Sequence, residues 1–275
     1  MTIIDGTAQI SAGAHIGRDV YIGPMCVVGP DVAIGDGCRL LANVIVAGHT
    51  TLGDGNVVHP FAVLGGAPQS ASYRDEPTRL VIGNGNTIRE HVTMNIGTPD
   101  GGGVTTVGSG CYFMANSHIA HDCRVGDHVQ MANGASLGGH SEVGNHTFLS
   151  SHVGVHQFSR IGGGALVAGN SVVRADVIPF ATVAGMQGRL VGINVVGMRR
   201  RKWQAASINA TRAAFRALFL APATFEERME RVERELGADP AVAEIIAFLR
   251  APRRRAICLA RHGAKTESDH PVESD

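Results

Sequence analysis

An apolar residue recurs at every sixth position along most of the chain. The positions are Ile4 and every sixth residue to Leu64, then Ile82, Ile88 and Met94, then Val107 and every sixth residue to Val173. Nearly all of them hold Ile, Leu or Val. A period of six matches neither the 3.6-residue period of a helix nor simple alternation, so each hexad is predicted to form one short strand and one corner.

Three such hexads are expected to make one triangular coil of eighteen residues. Stacked coils would pair the backbone of residue i with that near residue i+18, at a spacing of about 4.8 Å, around a column of aliphatic side chains. The repeat therefore predicts a mainly β fold, in which parallel strands form a triangular prism.

The fifth position of the hexad is nearly always a small residue. All but one of the five cysteines lie there, at Cys26, Cys38, Cys111 and Cys123. Small, inward-facing packing residues explain this placement better than a metal or redox role does. An odd number of cysteines without close pairs also argues against a disulfide framework.

Glycine often follows the apolar residue of a hexad. Examples are Gly17, Gly35, Gly126 and Gly144. A turn needs the permissive backbone angles that glycine allows, so we expect these glycines to form the turns.

Two stretches leave the repeat, at 65–81 and at 97–106. Both are polar and rich in turn residues, so they are predicted to loop out from the prism. Insertions of this kind in a solenoid often form its binding face.

Helical patterns replace the hexads after about residue 179. Residues 203–220 are rich in alanine, and Thr224 with Glu227 is typical of a capping box. An Asp-Pro pair then predicts a helix over 240–250.

The chain is accordingly predicted to have three parts. Residues 1–190 form the prism with its two external loops, 191–260 form a small C-terminal helical domain, and 261–275 form a flexible tail.

Composition narrows the class of protein. There are 36 glycines, only 5% aromatic residues and 17% charged residues, too few large side chains for a thick layered core. The formal net charge is zero, which gives no global case for nucleic acid. No apolar run reaches the ~18 residues of a membrane span, and no Lys or Arg precedes Arg18, which argues against a signal peptide. We therefore expect a soluble, cytoplasmic protein with no integral membrane segment.

Charge is unevenly distributed along the chain. Acidic residues outnumber basic ones in 1–196, and the reverse holds in 197–275. Basic clusters lie at 199–202 and 253–255. The basic C-terminal part could bind an acidic partner or a phosphate, or the clusters could be solvated helix surface.

Histidines concentrate between His118 and His156. His128, His146 and His152 take the fourth position of their hexads and are expected to lie on the surface.

His121 takes the third position of its hexad, and eighteen residues later stands Gly139, followed by His140. The backbone of Gly139 should thus lie one coil above His121. A base beside an uncovered backbone N–H is what acyl transfer requires, since the base takes a proton and the N–H stabilises the oxyanion.

Several segments together resemble the acyl-carrier-protein:UDP-N-acetylglucosamine O-acyltransferases. The segments are HIAHDC (118–123), ANGASLGGH (132–140), VHQF (155–158), GINVVGMRRR (192–201), GHT (48–50), EPTR (76–79) and GGG (101–103). The resemblance runs from about residue 2 to 255. It implies a left-handed parallel β-helix, a homotrimer with each active cleft between two prisms, and no metal or dissociable cofactor.

The resemblance also implies a reaction and its catalytic residues. An (R)-3-hydroxyacyl chain would pass from acyl carrier protein to the 3-position of UDP-N-acetylglucosamine, the first step of lipid A biosynthesis. His121 would be the general base, Asp122 would orient it, and the N–H of Gly139 would bind the oxyanion. Neighbouring side chains on a strand point to opposite faces, so the pairing of His121 with Asp122 requires a corner between them.

Substrate-binding roles follow from the same resemblance. His118 and His140 would line the cleft, and Gly169 would leave room for a longer acyl chain. The other substrate-binding residues would be Gln69, His156 and Gln157, with Asn194, Arg200 and Arg201 at the uridine and phosphate end.

Some positions depart from the family pattern, and further functions stay open. The departures are Ser70, Ser72, Asn95, Gln187 and Val196. They concern sugar and nucleotide recognition, so a 3-amino analogue of the sugar, acylated on nitrogen, could be the acceptor instead. The chain could also be a hexad-repeat carbonic anhydrase that binds a metal through three histidines, a lipid A N-acyltransferase, or a non-enzymatic scaffold.

Overall fold

The computed structural model describes residues 1–260, and the predicted flexible tail lies outside them. Its strands are short and follow one another at intervals of about six residues. In chain order they are β1 (Ile3–Ile4), β2 (Gln9–Ile10), β3 (His15–Ile16), β4 (Tyr21–Ile22), β5 (Val27–Val28), β6 (Ala33–Ile34), β7 (Arg39–Leu40), β8 (Ile45–Val46), β9 (His49–Leu52), β10 (Val57–Val58), β11 (Val63–Gly66), β12 (Arg79–Ile82), β13 (Thr87–Ile88), β14 (Thr93–Asn95), β15 (Val104–Val107), β16 (Tyr112–Phe113), β17 (His118–Ile119), β18 (Arg124–Val125), β19 (Gln130–Met131), β20 (Ser136–Leu137), β21 (Glu142–Val143), β22 (Phe148–Leu149), β23 (Gly154–Val155), β24 (Arg160–Ile161), β25 (Leu166–Val167), β26 (Val172–Val173), β27 (Ala181–Ala184) and β28 (Arg189–Ile193).

Every third strand joins the same sheet, so the chain winds around three faces. Face A runs from β1 through β4 and β7 to β25, β27 and β28; face B runs from β2 through β5 to β26; face C runs from β3 through β6 to β24. Uninterrupted coils pair residues eighteen apart, as in Tyr21 with Arg39 and His118 with Ser136. The predicted triangular prism of hexads is confirmed.

The aliphatic residue of each hexad fills the inside of the prism. Ile22, Leu40, Leu64 and Leu137 have no exposed surface, whereas Ile4 in the first coil is 45% exposed. Each fully buried Leu or Ile contributes about 2 kcal/mol. All five cysteines are buried and free, which confirms the prediction made for the four that lie within the hexads.

The residue that turns each corner differs from the expectation. The fourth position of the hexad takes the left-handed conformation, as at Asn43 (φ 52°) and Asn170 (φ 58°). Of the glycines that follow the apolar residue, Gly65 (φ 80°) has positive φ, whereas Gly17, Gly35, Gly126 and Gly144 do not, so the turning role predicted for these four was wrong. They are small because the coils approach closely: a Cβ on Gly144 would lie 2.5 Å from the amide nitrogen of Gly163.

The two external loops are narrower than predicted. β11 extends to Gly66 and β12 begins at Arg79, because β12 pairs on both sides, with β9 and β15. In the second loop a 3₁₀ turn at Pro99–Gly101 precedes β15, which begins at Val104.

After the prism the chain forms an antiparallel hairpin, β27–β28, which the sequence pattern did not predict. Four helices follow: α1 (Val195–Arg200), α2 (Ala205–Phe219), α3 (Phe225–Leu236) and α4 (Pro240–Arg250). The capping box of Thr224 and Glu227 is confirmed, as is the start of α4 after Asp239, whose carboxylate accepts from two backbone N–H groups. None of the helices in residues 1–260 has the length and apolar character needed to cross a membrane.

The segment that follows α4, residues 252–260, returns to the prism and is called the strap below. The backbone of Asp176 exchanges 2.8 Å hydrogen bonds with Ala256 and Cys258. The Asp176 carboxylate is fully buried and accepts from the side chain of Arg160 at 2.8 Å. The strap is thereby fixed against face C.

Candidate active site

Three side chains stack along the corner where the chain passes from face B to face C. Asp122, His140 and Phe158 each take the fourth position of a hexad, with φ near 60°, and lie one coil apart. The rings of His140 and Phe158 are stacked with centroids 4.4 Å apart. His140 Nε2 lies 3.7 Å from a carboxylate oxygen of Asp122. Because coils repeat every eighteen residues, the sequence brings these three groups together at the B–C corner.

His121 and Asp122 are adjacent in sequence, and the left-handed turn at Asp122 lets their side chains meet. His121 Nδ1 lies 2.7 Å from Asp122 Oδ2. The carboxylate also accepts from the backbone N–H of Thr98 at 2.8 Å and from its hydroxyl at 2.6 Å. An ionised carboxylate only accepts hydrogen bonds, so it places the proton of His121 on Nδ1 and leaves Nε2 as a base. The corner required by this pairing is present.

Gly139 lies directly against the ring of His121. A Cβ built on Gly139 would lie 2.6 Å from Cε1 and 2.8 Å from Nε2 of His121, which leaves no room for a side chain. Within residues 1–260 the N–H of Gly139 donates to no acceptor. The predicted contact between a coil's imidazole and the next coil's glycine is confirmed.

Two further histidines border this pair. The rings of His140 and His121 meet edge to face at 5.1 Å. Burial lowers the pKa of His140, although the charge of Asp122 opposes the shift. His118 Nδ1 lies 2.7 Å from the Thr93 hydroxyl, and burial lowers the pKa of His118 as well. Both imidazoles are therefore held neutral at pH 7, so they act as hydrogen-bonding groups rather than cations.

The remaining residues predicted at this corner are exposed. His156 and Gln157 lie one coil above Gly138 and Gly139, and Arg255 of the strap donates to the Gln157 carbonyl at 3.1 Å. Gln69 lies in the first loop, which leaves face B at this corner.

Asn95, one of the departures from the family pattern, holds that loop. Its Nδ2 donates to the carbonyls of Gly66 and Ala67, at 3.3 and 2.9 Å. Its Oδ1 is buried and has no hydrogen-bond partner within residues 1–260.

Asn194, Arg200 and Arg201 lie at a different corner, where the chain passes from face C to face A. Asn194 caps α1 by accepting from Gly197 N–H, and its Nδ2 donates to the Gly164 carbonyl, so the structure uses both ends of the amide. Arg200 is exposed at the end of α1. The Arg201 guanidinium lies over Phe180, 5.4 Å from the ring centroid, and burial lowers its pKa.

Gly169 lies at the third corner, between β25 of face A and β26 of face B. A face about five residues wide spans about 16 Å. The residues that the resemblance assigned to one site thus fall on three corners of a single chain.

His128, His146 and His152 are exposed, as expected from their hexad position. His128 and His146 stack on each other at 4.8 Å, away from the B–C corner.

Several residues at the B–C corner were missed by sequence reasoning. Thr98 could have been placed by its position in the second loop, and Phe158 by its spacing of eighteen residues from His140. Arg254 could not, because the return of the strap is a long-range event. Phe158 and Arg254 border a cavity of about 360 Å³ at this corner. Its lining residues are Asp100, Gly101, Asp122, Arg124, His140, Glu142, Phe158, Arg160, Pro252, Arg253 and Arg254.

His121, Asp122 and His140 are also the group that could hold a metal ion within residues 1–260, since their ligand atoms lie within 4.8 Å of one another. The group offers two imidazoles and one carboxylate, whereas a carbonic anhydrase site of the kind considered above requires three imidazoles. The same Asp122 oxygen already accepts from His121 Nδ1 and from the Thr98 hydroxyl, so binding a metal there would disrupt both hydrogen bonds.

A prism of hexads with a histidine at a coil corner is typical of the hexapeptide-repeat transferases. The bacterial transferase hexapeptide profile matches residues 31–66 and 105–139. The profile named UDP N-acetylglucosamine O-acyltransferase, domain 2, matches residues 176–258.

Whole-chain comparisons identify the family within this class. The acyl-[acyl-carrier-protein]–UDP-N-acetylglucosamine O-acyltransferase of Azorhizobium caulinodans is 48% identical over 98% of this chain and 99% of its own. The enzyme of the same name from Rhizobium johnstonii is 43% identical over 94% of this chain and 95% of its own. The crystal structure of Francisella novicida UDP-N-acetylglucosamine acyltransferase superposes with a TM-score of 0.91 at 29% identity, covering 99% of this chain and all of that one. The chain belongs to the acyl-[acyl-carrier-protein]–UDP-N-acetylglucosamine O-acyltransferase family.

Proposed function

We propose that the protein transfers an (R)-3-hydroxyacyl chain from acyl carrier protein to the 3-hydroxyl of UDP-N-acetylglucosamine, the first step of lipid A biosynthesis, in the cytoplasm. The observation that carries the proposal is the contact between the His121 ring and the backbone of Gly139, whose N–H has no acceptor within residues 1–260. Membership of the family supplies the substrates, and this contact supplies a base beside an oxyanion donor.

The base in this mechanism is Nε2 of His121. It takes the proton of the sugar 3-hydroxyl as that oxygen attacks the thioester carbonyl carbon, while Asp122 stabilises the positive imidazole through Nδ1. The negative charge that develops on the carbonyl oxygen is stabilised by the N–H of Gly139. Collapse of the tetrahedral intermediate breaks the carbon–sulfur bond, and the leaving thiolate takes the proton back from His121. The ester product and the free carrier thiol account for all atoms.

The substrate-binding residues support a site shared between chains. The base and Gln69, His118, His140, His156 and Gln157 lie at or near the B–C corner, but Asn194, Arg200 and Arg201 lie at the C–A corner and Gly169 at the A–B corner. A sugar nucleotide bound by both His121 and Arg201 of one chain would have to cross face C. In a homotrimer, the B–C corner of one prism can face the C–A corner of its neighbour, which brings these residues together.

The reaction and the base are tested in one assay. Wild-type protein mixed with 3-hydroxyacyl carrier protein and UDP-N-acetylglucosamine should release free carrier thiol. His121→Ala should lower kcat by about 10²–10⁴, the usual contribution of a general base. His152→Ala, which changes an exposed histidine at another corner, is the matched control. Near-normal turnover of His121→Ala would contradict the assignment.

The phosphate-binding role of Arg200 and Arg201 gives a second prediction. Arg201→Ala should raise the KM for the nucleotide sugar more than it lowers kcat, because the guanidinium would bind the diphosphate away from the reacting carbonyl. Steady-state kinetics with varied UDP-N-acetylglucosamine measure both constants. An unchanged KM would contradict this role.

The acceptor atom is tested with the 3-hydroxyl and 3-amino forms of the sugar nucleotide. Ser70, Ser72 and Asn95 occupy positions that depart from the family pattern beside the first loop. We expect the 3-hydroxyl sugar to be the better substrate by kcat/KM, and the reverse order would assign the protein to nitrogen acylation.

A further inference from the structure

The strap places one arginine at the entrance to the B–C corner. The Arg254 guanidinium carbon lies 4.9 Å from the centroid of the Phe158 ring. Phe158 in turn stacks on His140, and His140 meets His121, with centroid separations of 4.4 and 5.1 Å. Arg254 is therefore within about 15 Å of the proposed base, in the same chain.

The segment around Arg254 is fixed by its neighbours. The backbones of Ala256 and Cys258 bond to Asp176, which is itself buried against Arg160. Arg255 donates to the Gln157 carbonyl at 3.1 Å and lies 2.8 Å from His156 Nδ1. These contacts hold the residues that directly follow Arg254, and the Arg254 guanidinium lies on Phe158 without a bound ligand. A cation held in this way loses little further conformational freedom on binding.

The charge of Arg254 has no partner in the described part of the chain. No carboxylate of residues 1–260 forms an ion pair with it, and its side chain donates no hydrogen bond there. Three acids line the cavity: Asp122 binds His121 and Thr98, Glu142 lies 3.9 Å from Arg124, and Asp100 forms no ion pair within residues 1–260. An exposed, unpaired guanidinium that borders the catalytic carboxylate's cavity is suited to an anionic group of a ligand.

We propose that Arg254 binds a phosphate group of one of the two substrates at the B–C corner, which rests on the acyl transfer proposed above. The nucleotide sugar brings a diphosphate, and the carrier protein brings the phosphodiester of its pantetheine arm. Arg201 lies at another corner of the same chain, so Arg254 is a separate phosphate-binding residue.

Direct binding measurements distinguish the two sources of phosphate and do not depend on turnover. UDP and uridine, and 4′-phosphopantetheine and pantetheine, are each titrated calorimetrically into the full-length protein. The variants are Arg254→Gln, which removes the charge, and Arg254→Lys, which keeps it. Arg234→Gln is the control, because Arg234 is an exposed arginine on α3 that does not line the cavity. Thermal denaturation checks that each variant is folded.

We expect Arg254→Gln to weaken the binding of one phosphate-bearing ligand by about tenfold, as for loss of one charge-assisted pair. The corresponding ligand without the phosphate, uridine or pantetheine, should bind Arg254→Gln as tightly as it binds the wild type. Arg254→Lys should regain part of the affinity for the phosphate-bearing ligand. A loss confined to UDP assigns Arg254 to the nucleotide, and a loss confined to phosphopantetheine assigns it to the carrier arm.

The proposal is overturned if Arg254→Gln binds both phosphate ligands as the wild type does, or if the phosphate-free match loses as much affinity. Failure of the wild type to bind either phosphate ligand also overturns it. A wild type that binds these ligands but releases no carrier thiol contradicts the proposed reaction and leaves the phosphate assignment in place.

Discussion

At the scale of single residues, the fourth position of the hexad supplies several side chains of the candidate active site. Asp122, His140 and Phe158 all adopt a left-handed conformation, which costs a non-glycine residue about 1–2 kcal/mol. The conformation turns the side chain outward at a corner, and stacking of coils brings successive corner residues into contact. Asp122 can therefore reach back to His121, its own neighbour in sequence.

Burial of the cleft histidines predicts a pH dependence of stability. Burial, together with the nearby His121, lowers the pKa of His118 below its ordinary value, so the folded protein resists protonation there. The unfolded chain binds that proton near pH 6.5. The contribution of His118 to stability is thus complete above about pH 6.5 and is lost as the pH falls from there toward the lowered folded-state pKa.

Replacement of His118 should reduce this dependence. The free energy of unfolding, measured with urea at pH 7.5 and 5.5 and at one protein concentration, should fall less between the two pH values for His118→Asn than for the wild type. Ser136→Ala, which changes the residue paired with His118 on the next coil, is the control. An equal fall in His118→Asn and wild type would contradict the prediction.

At the scale of elements, the close approach of coils decides which positions must be glycine. A Cβ on Gly144 would lie 2.5 Å from the amide nitrogen of Gly163, whereas a Cβ on Gly6 would have no atom within 4 Å. Neither glycine has positive φ, so the two positions differ in space rather than in backbone conformation.

This difference predicts the effect of one methyl group. Gly144→Ala should destabilise the protein by about 3 kcal/mol, because the coils would have to separate locally. Gly6→Ala should change stability by less than about 0.5 kcal/mol. Urea denaturation of both variants provides the comparison, and equal stabilities would show that coil spacing does not constrain position 144.

Sequence periodicity predicted the elements that depend on local repetition. The eighteen-residue coil was sufficient to place Gly139 against His121 and to bury the four cysteines of the hexads. The role of the glycines after each apolar residue was mistaken because a hexad pattern does not reveal φ. The β27–β28 hairpin lies where the hexads fade, so no period marked it.

The strap is the clearest limit of prediction from the sequence. Its position depends on Arg160, Asp176 and Cys258, which are far apart in the chain and share no repeat. From the sequence, the cluster at 253–255 could be a solvated surface or bind an acidic partner or a phosphate, and its contacts with Phe158 and Gln157 required the structure.

At the scale of the whole molecule, the three corners of the prism separate residues that we propose to bind the same substrate. His121 lies at the B–C corner and Arg201 at the C–A corner, so the width of face C, about 16 Å, lies between the two corners. A trimer in which each site combines two corners resolves this separation. The proposed trimer would also cover the faces of a flat prism that has few aromatic side chains.

Mixed trimers test this claim most directly. His121→Ala and Arg201→Ala chains are co-expressed with different tags, and assemblies that carry both tags are isolated. If each site takes His121 from one chain and Arg201 from its neighbour, every mixed trimer contains one intact site. Carrier-thiol release at low UDP-N-acetylglucosamine should then reach about one third of the wild-type rate. A mixed trimer no more active than the two parent variants would contradict a site shared between chains.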